Sequence, residues 1–158
     1  MRTELELAER RALALLDRQE HRELGPVRAV DAVAFARAAG ETDLRLLDPA
    51  RPDFLVHPMF LPSLLRGPAG AEAAEYRPDG MYRDEVPGTD GLDVRLMAGG
   101  QEVRFTAPVP ADEPVRLTRR LVSVQRKGST VFLLLTVEKT YTAGTRVLAE
   151  VTERFIVR

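Results

Sequence analysis

Hydrophobic and polar positions divide the chain into an irregular, partly helical first half and a second half of long alternating stretches. Leu5, Ala8, Ala12, Leu15 and Leu16 recur at helical spacing, and Thr3 with Glu6 fits a capping box ahead of them. A helix is therefore predicted from Thr3 to about Gln19, amphipathic and packed on its own domain or on a partner. Gly25-Pro26 breaks the chain. DAVAFARAAG predicts a short second helix, with Asp31 as N-cap and Gly40 as the stop. The polar stretch ETDLRLLDPARPD reads as a loop. VHPMFLPSLLRG is densely apolar and predicts a short buried helix from about residue 58 to 66, with Pro58 in its first turn. The stretch from Gly67 to Asp90 is rich in Gly, Pro and charge, and reads as a long loop with a strand near Met81.

Val94–Ala107, Val115–Arg126, Val131–Thr142 and Arg146–Val157 read as strands rich in Val, Leu, Phe and Thr. Arg126–Ser129 and Thr142–Thr145 are short enough to be hairpin turns, each with a Gly for positive φ. Val147, Ala149, Val151, Phe155 and Val157 alternate with polar residues, but Glu153 interrupts the apolar side. The alternation flips near Arg119-Arg120, which implies a bulge. Gly99-Gly100 lies inside a strand and implies a bulge or a close backbone approach. Strands this long exceed the usual ~5–6 residues and imply a sheet that wraps something. The segment near Pro58–Leu65 is the candidate. A long antiparallel sheet wrapped around a central helix is the hot-dog architecture, of α+β class. Residues 1–158 read as one such domain, with residues 1–22 as an N-terminal helical extension.

A length of 158 residues suits one domain. The chain has no Cys, which excludes disulfides and thiolate metal sites and fits a reducing, cytoplasmic setting. With 23 basic and 24 acidic residues the net charge is -1, so no basic surface for nucleic acid is expected. The opening MRTELELAERR is charged throughout, and neither a leader nor a membrane segment is expected. Lys127 and Lys139 are the only lysines, and Ala, Gly and Pro are plentiful, a bias of GC-rich bacterial genomes.

From about Gly25 onward the chain resembles the MaoC-like hydratase/dehydratase superfamily, most closely its N-terminal, fatty-acid-synthase-type dehydratase half. MAGGQEVRFTAPVPADEPVRLTRRLVSVQRKG and the closing VLAEVTERFIVR carry the resemblance. It implies handling of β-hydroxyacyl thioesters, on coenzyme A or an acyl carrier protein, in fatty-acid or polyketide metabolism. It also implies pairing of hot-dog subunits, and no cofactor. Catalytic members take an α-proton with a base and protonate the leaving hydroxyl with an acid. Their Asp and His stand in a loop reading approximately Gly-Asp-x-Asn-Pro-x-His. The matching residues here are Gly40-Glu41-Thr42-Asp43-Leu44-Arg45-Leu46. Glu41 can stand in for the Asp, but Leu46 has no titratable group. The family segment Val-His-Gly-Met, whose backbone N–H groups hold the thioester carbonyl, corresponds to Val56-His57-Pro58-Met59, where Pro58 removes one donor. HPMFLPSLL is also similar to the HPxLLDxxL stretch of polyketide-synthase dehydratase domains, with Pro62 in place of the acidic residue.

The catalytic candidates are accordingly few: His57, with Glu41 or Asp53. His57, Met59, Phe60, Gly99 and Gly100 are the candidates for substrate contact. Arg119, Arg120, Arg126 and Lys127, with Arg116, form a basic set that could meet a carrier protein or coenzyme A phosphates, or merely a solvated strand face. His21, among Glu20, Arg22 and Glu23, reads as a surface residue. Asp79, Asp84, Glu85 and Asp90 have no His partners and are not expected to bind metal. Three functions are compatible with these residues. The chain is a substrate-shaping subunit paired with a catalytic MaoC-like partner, a self-sufficient homodimeric hydratase or dehydratase, or a non-enzymatic binder of acyl thioesters.

Overall fold

The computed structural model describes residues 3–67, 70–128 and 131–158. Its frame is one antiparallel sheet of strands β1 (Gln19–Pro26), β2 (Leu96–Phe105), β3 (Pro114–Lys127), β4 (Phe132–Ala143) and β5 (Arg146–Val157), in the order β1-β3-β4-β5-β2. β2 to β5 lie within two residues of the four stretches predicted as strands. β3, β4 and β5 put one face inward, because Val, Leu and Phe recur there at every second position. Helix α1 (Glu4–Leu15), helix α2 (Ala29–Ala38) and a 3-10 helix at Pro58–Leu65 cover that inner face. This is the hot-dog arrangement.

β1 is the main departure from the sequence reading. Helix α1 keeps its Thr3–Glu6 capping box but stops at Leu15, and residues 19–26 form an edge strand instead of a helical extension. β1 is polar and mostly exposed, so it carries no apolar alternation. Charge complementarity holds it in place: Glu20 lies opposite Arg119, and Glu23 opposite Arg116 at 2.6 Å. His21 is exposed beside Thr118. Helix α2 begins at Ala29, earlier than Asp31, because Asp31 serves as a first-turn acid paired with Arg28 at 2.7 Å. A single helical turn, α3 (Leu44–Leu47), capped by Asp43, interrupts the expected loop.

The expected bulges both exist, one of them displaced. Gly100 has φ +135, and the β2–β5 register shifts between Ala98 and Gly100. The β3 shift lies between Leu121 and Ser123, two residues beyond the Arg119-Arg120 pair. The alternation flips early because Arg119 itself points inward and is buried. Near Met81 there is an isolated Tyr76–Tyr82 bridge rather than a strand. Ser129, at the end of one expected turn, lies outside the described residues, as do residues 68 and 69 of the long loop. Among the described residues, no helix is long and apolar enough to cross a membrane.

The core has two parts. One gathers Val27, Phe60 and Leu61 over Val115, Leu117, Tyr141 and Val151. The other gathers Ala8, Ala12, Val86 and Leu92 over Leu121, Leu135, Val137 and Phe155. Between them the inner face of the sheet carries charge. Arg119 and Lys139 are opposite one another on β3 and β4, and Glu153 lies opposite Val137 on β5. Lys139 Nζ is 2.6 Å from Glu153 Oε2 and 3.2 Å from Glu85 Oε1. Arg119 donates to the backbone carbonyls of Asp84 (2.8 Å) and Glu85. The charge layer thus fastens the 84–85 segment across the sheet. Gly88, further along the same segment, has φ +82 and lies so close to α1 that a Cβ there would stand 2.7 Å from the Ala12 nitrogen.

Removing one partner of a buried ion pair strands the others without compensation. Lys139→Met is expected to destabilise the fold at neutral pH by about 3–5 kcal/mol. Denaturant titration against the wild type checks this. An unchanged midpoint would show that the charge layer contributes nothing net.

Candidate functional site

The 3-10 helix Pro58–Leu65 owes its form to its prolines. Pro58 and Pro62 supply no backbone N–H, and Pro62 would break an α-helical ladder. The segment is the buried apolar element expected near residues 58–66, in a tighter winding. His57 caps it, its Nδ1 accepting from the Met59 N–H at 3.1 Å. The Phe60 N–H donates to the His57 carbonyl at 2.9 Å. Every backbone donor at the helix start is therefore absent, as at Pro58, or already engaged.

Because Nδ1 accepts, the neutral His57 ring carries its proton on Nε2. Nε2 lies 3.2 Å from Glu41 Oε1. Gly40 makes this meeting possible. At φ +78 it closes α2 with Glu41 N–H donating to the Ala36 carbonyl and Gly40 N–H to the Arg37 carbonyl, and Glu41 emerges beside the 3-10 helix. Phe35 of α2 packs against the His57 ring with centroids 5.4 Å apart. Asp53 is engaged elsewhere, with Arg51 at 2.8 Å, and that partner holds its carboxyl below the usual range. Of the expected catalytic candidates, the structure thus brings Glu41 and His57 together, while Asp53 is paired with Arg51. The position matching the missing His, Leu46, lies in α3.

Beside this cap, between the 3-10 helix and the sheet, is a cleft of about 560 Å³. Phe35, Met59, Leu61 and Leu65 line it from the helical side, and Val103, Phe105, Ala149 and Val151 from the sheet. Its polar lining includes Lys139, Glu153, Glu85, Gln101 and Tyr141, with Arg66 and Tyr82. Gln101 Nε2 donates to Glu153 Oε1 at 2.9 Å. Burial, and then the nearby Glu153 and Glu85 carboxylates, push the Tyr141 phenol well above its ordinary value, so it keeps its proton. Arg66 lies 3.8 Å over the Tyr82 ring and also pairs with Asp84 at 2.6 Å.

Of the residues expected to contact substrate, Met59 lines the cleft and His57 does not. Phe60 is turned into the core and toward a second groove under α2. Gly99 and Gly100 form the β2 bulge rather than the cleft lining. The basic set is dispersed. Arg119 is buried in the charge layer, and Arg116, Arg120 and Arg126 are paired with Glu23, Glu138 and Glu9, while Lys127 is exposed at the strand end. The polar cleft residues went unnoticed, although Glu153 interrupting an apolar row was their visible trace. Lys139, in the inward row between Val137 and Tyr141, was the other.

Asp84 joins the cleft rim to β1. Burial alone would raise its carboxyl, but Arg66 and Arg22, each at 2.6 Å, bring it down to about 2. A folded-state value below the unfolded one stabilises the protein above the unfolded pKa, and that contribution disappears as pH falls toward the folded value. Wild type should exceed Asp84→Asn by a constant increment in melting temperature from about pH 5 to 7. The increment should vanish between about pH 4 and 2. A difference that is independent of pH would refute the assignment.

A family model described as "FAS1-like, dehydratase domain region" matches residues 19–150. No curated protein matches the chain to a significant degree. Among solved structures, the ChsH1-ChsH2 complex from Mycobacterium tuberculosis is similar with a TM-score of 0.66 at 13% identity, over 96% of this chain and 89% of that one. A MaoC-like dehydratase from Phytophthora capsici is similar with a TM-score of 0.62 at 18% identity, over 91% of this chain and 48% of that one. The HadBC (3R-hydroxyacyl-ACP dehydratase) complex from Mycobacterium tuberculosis gives 0.57 at 13% identity, over 90% and 96%. At these identities the structural likenesses establish the fold.

Proposed function

Because this chain belongs to the FAS1-like dehydratase-region family, we propose that it is a substrate-shaping subunit of a heteromeric MaoC-like dehydratase acting on β-hydroxyacyl thioesters. It binds the acyl part of a thioester of coenzyme A or an acyl carrier protein, and a catalytic hot-dog partner supplies the acid and base. A bacterial fatty-acid or polyketide pathway in the cytoplasm suits this role.

The observation that carries the reading is the state of the 3-10 helix start. An oxyanion hole needs N–H donors aimed at the developing charge. Here Pro58 has none, the Met59 N–H is held by the His57 ring, and the Phe60 N–H by the His57 carbonyl. His57 in turn has both nitrogens engaged, so it offers no free lone pair to take an α-proton. What remains is an apolar cleft large enough for an acyl chain. Neighbours whose names describe complexes, ChsH1-ChsH2 and HadBC, favour a two-subunit assembly. β2 is a sheet edge with Met97 and Phe105 exposed, and it suits edge-to-edge pairing with the partner.

The contact between Glu41 and His57 supports a second reading, in which Glu41 is the base of a self-sufficient homodimer and His57 orients it. Dehydration assays on β-hydroxyacyl thioesters separate the two. The subunit reading predicts no turnover by the purified chain and turnover by the complex co-purified from its host, retained within about threefold in Glu41→Gln. Turnover by the chain alone that Glu41→Gln lowers by about 10²-fold or more would replace the first reading with the second.

A further inference from the structure

The cleft is apolar along the 3-10 helix, but on the sheet side Val103, Phe105, Ala149 and Val151 share it with Gln101, Lys139, Tyr141 and Glu153. Lys139 has three N–H donors, of which two face Glu153 and Glu85. The Tyr141 side chain, on a residue only 2% exposed, lines the cleft, and its hydroxyl makes no hydrogen bond among the described residues. Gln101 donates an amide N–H to Glu153, and its amide oxygen makes no hydrogen bond among the described residues. Three hydrogen-bonding functions of opposite kinds therefore border one cavity: an ammonium N–H, a phenol O–H and an amide oxygen.

Their charges are already balanced. Lys139 and Arg119 are cations, and Glu85 and Glu153 are anions. Arg66, also on the cleft, and Arg22 are together balanced by Asp84 and Glu75. A ligand carboxylate or ammonium would add an uncompensated charge to this enclosed layer. A plain alkyl chain would cover the phenol and the spare ammonium proton without replacing their water, which is costly for buried polar groups. A neutral oxygen avoids both penalties.

We propose that the cleft selects acyl chains bearing a second neutral oxygen function, a keto or hydroxyl group in the body of the chain beyond the β-carbon, recognised by Tyr141, Lys139 and Gln101. This rests on the reading of the cleft as the acyl site. It names the class of chain that the site accepts. A carbonyl oxygen accepts from the Tyr141 phenol and the spare Lys139 proton. A hydroxyl can in addition donate to the Gln101 amide oxygen.

The test is calorimetric titration of the full chain, alone and with its co-purified partner, against three coenzyme A thioesters of equal chain length. One is a plain medium-chain acyl group, one its mid-chain keto analogue, and one its terminal-carboxyl analogue. The keto chain should bind at least tenfold more tightly than either other. Tyr141→Phe should cut that preference to below threefold while thermal unfolding reports an intact fold. Should Tyr141→Phe fail to fold, Gln101→Leu on the exposed edge strand is titrated with a further thioester, the mid-chain hydroxyl analogue, whose preference over the plain chain should fall below threefold. Equal binding of keto and plain chains, or tightest binding of the carboxyl chain, overturns the selectivity and leaves the acyl-site reading standing. Binding of none of the three, with or without the partner, overturns both.

Discussion

The buried charge layer through Lys139 constrains the rest of the molecule. Its side chain is 7% exposed, and its ammonium touches two carboxylates, one from β5 and one from the long segment that crosses the sheet. Arg119 holds the backbone of that segment from the neighbouring strand. Ion pairs taken out of water must satisfy each other, so the segment has one acceptable position. That position divides the apolar interior, with α1 closing one side and the 3-10 helix the other. It also gives the cleft its polar boundary. Glu153 Oε2 is close to Lys139 but lacks hydrogen-bond alignment, and Arg119 Nε has no partner among the described residues. An incompletely satisfied layer of this kind is a costly way to build a core, and its location on a ligand-sized cavity gives the cost a purpose.

The 3-10 helix is the second constraint. Its prolines shorten and tighten the element that the sheet wraps, and leave the cleft beside it. Pro58, with the His57 cap, uses up the donors at the helix start. In the subunit reading, the occupied helix start and the cleft beside it belong to one element. Membership of a dehydratase family and the missing His at Leu46 fit a chain that has kept the scaffold and ceded the proton transfers.

Much of this was legible before the fold was known. Apolar alternation marked β3 to β5, residue composition marked β2, and the density of VHPMFLPSLL marked the wrapped element. Gly99-Gly100 announced its bulge. β1 escaped because an edge strand held by charges across the ladder shows no apolar period. The carrier-binding reading of Arg119 misplaced it because a surface arginine and one buried on backbone carbonyls look alike in sequence. The cleft lining was half visible. Glu153 broke the apolar row, but its partner Lys139 is 14 residues away on another strand, and Glu85 arrives from a loop. Only the register brings them together.

The central claim is that this chain contributes the acyl channel of a dehydratase whose chemistry belongs to its partner. The most direct measurement is photolabelling of the co-purified complex with an acyl thioester bearing a diazirine near the chain end, followed by peptide mapping. The account predicts labels on the cleft walls of this chain, at Met59, Val103 or Val151. Labels confined to the partner subunit would contradict it.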